Sequence, residues 1–586
     1  MSERQLLSGN EAIARGAFEA GVTVACGYPG TPSTEILETV AARFKEQIYC
    51  EWAPNEKVAF EAAVGASLAG ARAIVTMKHV GLNVAADPLM TFSYIGAVGG
   101  FVACVADDPG MHSSQDEQDT RHFARFAKIP VLEPADSQEA KEFMRLGLEI
   151  SETHRTPVIL RTTTRVSHSR GLVTLGERQA PRPVGFEKNP SRYVPIPVWG
   201  RKMRVRVEER IGEMAAAAAK SPANRIEWRD RALGIVAPGI AYAYVREAFP
   251  EASVLKLGWS WPFPDTLIRE FAAGVKRLLV VEELEPILEE HIRALGLPCD
   301  GKNLVPTIGE LSPARLQEIR AKVDGVPWTP PAPPAEAADL PGRPPVLCPG
   351  CPHRGIFHAL GRHDVIVTGD IGCYSLGVFP PLSRTDTILC MGGGITLAHG
   401  MEKAGEKRRL VGIVGDSTFF HSGITGLLDV VYNRGTSVLI VVDNRTTAMT
   451  GHQDHPGTGR TLMGEPTVSV SIGEVGRACG MRNVVTVNPY DLKQVNAVLK
   501  TALASQEPWL IVSRAPCPLH ERKPVGEPRR VRTAACRKCK LCFKLGCPAI
   551  EAGTDGIPTV NRLLCAGCAM CDQVCPAHAF EPIAKT

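Results

Sequence analysis

Cysteine spacing at the C-terminal end constrains this chain more than any other feature. Cys536, Cys539, Cys542 and Cys547 form the run C-x2-C-x2-C-x4-C-P, and Cys565, Cys568, Cys571 and Cys575 form C-x2-C-x2-C-x3-C-P. The tail from about residue 534 has little apolar sequence with which to build a core, so something other than hydrophobic burial must hold it. In a reducing cytosol, such a concentration of thiols reads as metal ligation and not as a disulfide framework. Three thiolates at this spacing meet three irons of one cubane, and the distant fourth cysteine of each run completes the other cluster. That rule assigns Cys536, Cys539, Cys542 and Cys575 to one 4Fe-4S cluster, and Cys565, Cys568, Cys571 and Cys547 to a second. Two zinc ribbons would also use C-x2-C pairs; the third cysteine at short spacing and the Cys-Pro endings count against them. The first run carries one residue more than usual between its third and fourth cysteines, Phe543 to Gly546.

Length and charge set the remaining bounds. At roughly 100 to 200 residues per domain, 586 residues predict three to five domains. Lys and Arg number 66 against 62 Asp and Glu, a balance of +4, which excludes a strongly basic face for nucleic acid. No apolar run approaches a membrane span. The N-terminus, MSERQLLSGNEAIARGAFEAG, lacks an apolar signal core, so a cytoplasmic location is expected.

Two proline-rich breaks, about Pro181 to Pro197 and Pro327 to Pro345, interrupt the chain. Between and around them the pattern is α/β. Strands are predicted near Val22 to Cys26, Ile74 to Met77 and Phe101 to Ala106, with helices between them, so the sheet is expected to be parallel. Residues 232–296 repeat the style on a smaller scale. A third α/β body follows, in which RRLVGIVGD and SVLIVVDN are strands joined by a helix at Ser422 to Tyr432. Phe60 to Met77 and Met391 to Gly415 both read as a small-residue helix running into an apolar strand, a weak internal repeat.

The third body suggests a diphosphate site. Gly415, Asp416 and Ser417 follow one strand directly, and Asn444 ends the next. In a βαβ unit both points lie at the carboxyl edge, where a helix N-terminus faces outward. Asp416 and Asn444 offer hard oxygen ligands for Mg2+, and Gly415, Ser417 and Thr418 offer hydrogen bonds to phosphate. The plainer reading is a capped helix beside a structural Asn.

Here the chain resembles a family. GDSTFFHSGITGLLDVVYN with VVDNRTTAMTGHQ is similar to the thiamine-diphosphate motif of the 2-oxoacid:ferredoxin oxidoreductases, most closely the large subunits of the branch that acts on indolepyruvate. GYPGTPSTEI, NEKVAFEAA, MKHVGLNVAADPL, LCPGCPHRG and the cysteine tail extend the resemblance over essentially the whole chain. It implies a pyrimidine-binding domain at residues 1–180 and a transketolase C-terminal-like α/β domain at 203–325. A Pro-rich linker at 326–345, a diphosphate and Mg-binding domain at 346–525 and a ferredoxin-like two-cluster module at 530–586 complete the order. The two thiamine-type domains are related folds, which would account for the repeat.

The same resemblance implies site residues. Glu56 would contact the aminopyrimidine ring of thiamine diphosphate, Thr31 would approach the substrate carboxylate, and Thr446 would join Asp416 and Asn444 around Mg2+. Cys348, Cys351, Cys373 and Cys517 would hold a third, proximal 4Fe-4S cluster. From the residues alone, Glu56 is a carboxylate at a helix start, Thr31 a turn residue and the four cysteines apolar packing groups. Cys26, Cys50, Cys104, Cys299, Cys390 and Cys479 read as packing cysteines. His79, His421, His452 and His455 are candidate acid-base groups, and His353 a group orienting the CPGCP loop.

The implied activity is oxidative decarboxylation of an arylpyruvate, such as indolepyruvate or phenylpyruvate, with coenzyme A, electrons passing through the clusters to ferredoxin. A smaller beta subunit in an α2β2 assembly is the implied partner. Two other readings stay open on the residues: a non-oxidative thiamine decarboxylase with a structural tail, and a non-catalytic electron-transfer subunit.

Overall fold

The structure, a computed structural model, describes residues 3–330, 344–553 and 555–583. The chain forms two units, Met1–Asp339 and Leu340–Thr586. Most of the expected 326–345 linker lies outside the described residues. Among the described residues, no helix is long and apolar enough to cross a membrane.

The first unit holds strands β1 (Arg4–Ser8), β2 (Val24–Gly27), β3 (Tyr49–Trp52), β4 (Ala73–Lys78), β5 (Phe101–Asp107), β6 (Val131–Leu132), β7 (Val158–Thr163), β8 (Arg170–Thr174), β9 (Asn224–Glu227), β10 (Asp230–Pro238), β11 (Ala252–Leu257), β12 (Trp259–Trp261) and β13 (Arg277–Val280). Its large sheet runs β12-β6-β7-β5-β4-β2-β3. Every pairing in it is parallel except that of β12 with β6. β4 and β5 are buried along their whole length, so AIVTMK and FVACVAD carry near-continuous apolar side chains without alternation. Helix Glu56–Leu68 packs on β2 and β4, and its Phe60 meets Phe101 at 5.0 Å and Phe92 at 6.3 Å between ring centroids. Asn55 starts this helix by accepting the Val58 amide at 2.9 Å.

A smaller sheet, β13-β10-β11-β9, forms the second α/β body. The chain leaves it after β11 and adds β12 to the edge of the large sheet, so the two bodies share a strand pairing. Buried charges join them as well. Arg121, held by Asp119 at 2.6 Å, reaches across to Glu282 at 2.7 Å, while within the large-sheet body Arg161 takes Asp107 at 2.6 Å and also pairs with Glu133. Such charges are retained in an interior only when paired in this way. Pro197, at the end of the first expected break, opens the long helix Pro197–Ala218; proline is well suited to a first helical position because the amide it lacks would be unbonded there anyway.

The second unit holds a six-stranded, wholly parallel sheet of β14 (Val365–Gly369), β15 (Thr387–Ile388), β16 (Arg409–Gly415), β17 (Val438–Asp443), β18 (Asn483–Val487) and β19 (Trp509–Arg514), in the order β15-β14-β16-β17-β19-β18. The helix predicted from Ser422 begins earlier, at Asp416, and passes through a wider π-type turn at Phe419–Gly423 before Ile424–Tyr432. Such turns occur often at functional sites. Helices Glu56–Leu68 and Gly393–Lys403 each lead into a central parallel strand, β4 and β16, as the repeat predicts. The tail contributes two antiparallel ribbons, β20 (Arg529–Val531) with β23 (Phe580–Pro582) and β21 (Ile550–Ala552) with β22 (Pro558–Val560). Between them lies a small core of Cys542, Cys575, Ala579 and Phe580.

Candidate active site and cysteine centres

In the second unit the carboxyl ends of β16 and β17 set the first site. Asp416, Ser417 and Thr418 open the helix after β16, all buried. Asp416 Oδ1 accepts the Ser417 amide at 2.9 Å, and Oδ2 lies 3.1 Å from His455 Nε2. His455 Nδ1 accepts the Gly457 amide at 3.1 Å, so its ring proton sits on Nε2, toward the carboxylate. Burial alone would push the Asp416 carboxyl up, but His455 and the Ser417 amide hold it below the usual range. Asp443, at the end of β17, goes the other way: burial and the charge of Asp416 raise it, against the pull of Arg514. One buried carboxylate therefore stays ionised at the strand ends and invites a cation.

Asn444 and Thr446 stand beside it, also buried, with Asn444 Oδ1 accepting the Thr446 amide at 3.2 Å. This oxygen-rich group beside a helix start fits a Mg-bound diphosphate. The expectation that His353 serves the CPGCP loop is incomplete, since its Nε2 lies 3.4 Å from Asn444 Nδ2. Burial pulls the His353 pKa down to about 4, so the ring is neutral. His421 is buried with Nδ1 2.5 Å from Ser422 Oγ, whereas His452 stacks on His520 at 5.4 Å.

Sequence reasoning missed a second carboxyl. Asp370, fully buried, accepts the Tyr374 hydroxyl and the Gly392 amide at 2.6 Å, and burial pushes it up to about 8. Tyr374 in turn packs over Gly415, where a Cβ would sit 2.7 Å from its ring, and its hydroxyl lies 3.4 Å from Thr418 Oγ1. Only glycine fits at 415.

In the first unit Glu56 is buried, not a surface carboxylate, at the start of its helix. Its side chain lies against Gly81, where an added Cβ would come 2.5 Å from Oε1. Thr31 is half-buried in the turn after β2, next to Gly30, whose missing Cβ leaves room for Lys78. Lys78 ends β4, and burial pulls its amine down to about 8 although Asp108 lies 4.0 Å away. The adjoining His79 is buried, with Nε2 3.3 Å from the Asp116 carbonyl.

The structure brings twelve cysteines of the second unit into three groups. Cys547, Cys565, Cys568 and Cys571 line one apolar pocket. Cys536, Cys542 and Cys575 pack in the tail core, and Cys539 is near enough to raise the Cys542 thiol further. Backbone amides donate to sulfur in both groups, Arg529 to Cys565 at 3.4 Å and Ala579 to Cys575 at 3.3 Å. Cys348, Cys351, Cys373 and Cys517 form the third group. Burial raises the Cys351 and Cys373 thiols, to about 12 and about 11, and the charges of neighbouring cysteines add to this. The Cys517 amide donates to the Asn444 carbonyl at 3.0 Å, so this group adjoins the Asp416 site. Among the described residues no three His, Cys, Asp or Glu side chains converge as a single metal ion would need. Four thiols lining one apolar pocket instead fit the larger cubane. Cys390 is exposed, which corrects its reading as a packing cysteine, while Cys299 and Cys479 are half-buried.

Residues 15–216 match the family described as pyruvate flavodoxin/ferredoxin oxidoreductase, thiamine diP-binding, and residues 370–513 match the thiamine pyrophosphate enzyme C-terminal TPP-binding domain. The parallel-sheet fold and these matches define a thiamine-pyrophosphate-binding oxidoreductase. The indolepyruvate oxidoreductase subunit IorA of Pyrococcus horikoshii is 44% identical over 99% of this chain and 97% of its own length. That of Methanothermobacter marburgensis is 43% identical over 100% and 98%. The chain belongs to the indolepyruvate oxidoreductase subunit IorA family. A solved 2-oxoglutarate:ferredoxin oxidoreductase from Magnetococcus marinus aligns at 18% identity and a TM-score of 0.46, covering 55% of this chain and 65% of the other.

Proposed function

We propose that this chain is the thiamine- and cluster-bearing subunit of a 2-oxoacid:ferredoxin oxidoreductase that converts an arylpyruvate and coenzyme A to the aryl-acetyl-CoA and CO2. One proton and two electrons are released per turn, and the electrons pass singly to ferredoxin. The observation that carries this reading is the adjacency, within one unit, of the Asp416–Asn444 site and the Cys348, Cys351, Cys373 and Cys517 group. An oxidative enzyme needs an electron acceptor beside the reacting carbon, whereas a non-oxidative decarboxylase does not.

Asp416, Asn444 and Thr446 would hold Mg2+, and Gly415, Ser417 and Thr418 the diphosphate. When bound, thiamine diphosphate supplies the carbon nucleophile for the 2-oxo carbonyl and the sink for the electrons released as CO2 departs. Glu56 holds or yields the proton at the aminopyrimidine ring, and burial keeps its carboxyl away from competing water. The Thr31 hydroxyl donates to the substrate carboxylate. Neutral His353 and the Nε2 proton of His455 keep the oxygen ligands oriented. The arylpyruvate preference is supported by the indolepyruvate in the names of the relatives, and a partner by the word subunit in those names; that the partner is a smaller beta subunit in an α2β2 assembly rests on the family resemblance of the sequence. The crossed cysteine sets would form a ferredoxin-like module. Residues 203–325 would be the transketolase C-terminal-like domain and residues 1–180 and 346–525 the two thiamine-type domains.

Iron analysis tests the electron path. Protein purified without oxygen is expected to carry about twelve irons per chain, four for each of three clusters. About eight would remove the proximal cluster, and zinc in place of iron would remove the path altogether.

A further inference from the structure

Arg354 follows the CPGCP loop, in the first turn of helix His353–Leu360, and is 1% exposed. Its two ends serve different loops. Nη2 donates to the carbonyls of Leu347 at 2.7 Å and Cys348 at 3.1 Å. Nη1 donates to those of Leu545 at 2.8 Å and Gly546 at 2.7 Å, directly before Cys547. The guanidinium also lines the cavity of Cys547, Cys565, Cys568 and Cys571. Nε is buried without a hydrogen-bond partner, and among the described residues no carboxylate pairs with it. The other fully buried arginine of comparable size, Arg121, has Asp119 and Glu282.

A buried cation without a counter-charge is strongly unfavourable. The groups it lies between are cysteine sets that, on the reading above, hold clusters. A 4Fe-4S core with four thiolates is a dianion when oxidised and gains one further negative charge on reduction. Arg354 thus has its counter-charge on both sides, and each reduction adds charge beside it. Net charge and local environment are what set cluster potentials.

We propose that Arg354 is the shared counter-ion of the proximal cluster and the nearer tail cluster, positioned to raise the reduction potentials of both and to hold them level for the electron step between them. In that step one electron leaves the proximal cluster and reduces the tail cluster, with no bond made or broken and no proton moved. The cation sees the same total charge before and after, so neither direction is penalised. This inference rests on the cluster reading in Proposed function.

The test is an anaerobic redox titration of the full chain with its partner subunit, followed by electron paramagnetic resonance, for wild type, Arg354→Gln and Arg354→Lys. Gln keeps donors for the carbonyls but removes the charge; Lys keeps the charge. With full iron content, Arg354→Gln is expected to lower the reduced-to-oxidised ratio of two clusters by about tenfold at fixed potential, about 59 mV for a one-electron couple. The third cluster, on Cys536, Cys539, Cys542 and Cys575, should not move, and Arg354→Lys should stay near wild type. Loss of iron in Arg354→Gln alone would also support the role, since assembly would then require the charge. Unmoved potentials in a fully loaded Arg354→Gln, an equal shift of all three clusters, or iron loss in both variants would overturn it. A wild-type chain without these clusters would instead overturn the cluster reading itself.

Discussion

Glu56→Gln is expected to lower turnover about a thousandfold, the scale of a lost acid-base group, while iron absorbance and thermal stability stay near wild type. The carboxyl is buried at the first position of helix Glu56–Leu68. Gln preserves its shape and removes the ionisable carboxyl with its charge. Gly81 supplies an independent check from the opposite side. A methyl at 81 would stand 2.5 Å from Glu56 Oε1, so Gly81→Ala must displace the carboxyl and should reproduce the loss through position and not chemistry. Anaerobic dye reduction with purified holoenzyme measures both; an unchanged rate in Glu56→Gln removes this residue from the catalytic role.

Asp416→Asn should act on cofactor binding. The ionised carboxyl sits at the end of β16 with His455 and the Ser417 amide as its protein partners, a cost the cation it awaits would offset. The variant is expected to bind thiamine diphosphate with Mg2+ roughly 100-fold more weakly, at the upper end of the loss seen when a metal site loses supporting groups. Without cofactor it should be as stable as wild type, because the buried charge is gone. Calorimetric titration with Mg2+ and thiamine diphosphate, with thermal melts in their absence, reads the two effects separately. Unweakened binding would move the metal site elsewhere.

What the sequence made legible was local. Asp416 and Asn444 could be placed at one sheet edge because each directly follows an apolar strand, and the crossed cysteine sets follow from spacing along one short segment. What it hid depends on chain-distant partners. Asp370 acquires meaning only from Gly392 and Tyr374, and Arg354 only from Leu545 and Gly546, 191 and 192 residues away. Neither residue type carries a signal of its own. WSW at Trp259–Trp261 gave no sign that it would leave its own sheet for the edge of another, since three residues alternate too briefly to fix a register. Pro197 illustrates a different difficulty: as the last of a run of prolines it looks like a break, yet at the first position of a helix the same residue is a start.

The central claim is that oxidation by the clusters and decarboxylation are one reaction. The direct measurement gives the anaerobic enzyme with its partner subunit an arylpyruvate, coenzyme A and a low-potential one-electron dye. The account predicts dye reduction that requires both substrates, with two dye molecules reduced for each CO2 released. Release of CO2 with aldehyde formation and no dye reduction, from protein fully loaded with iron and thiamine, would contradict it.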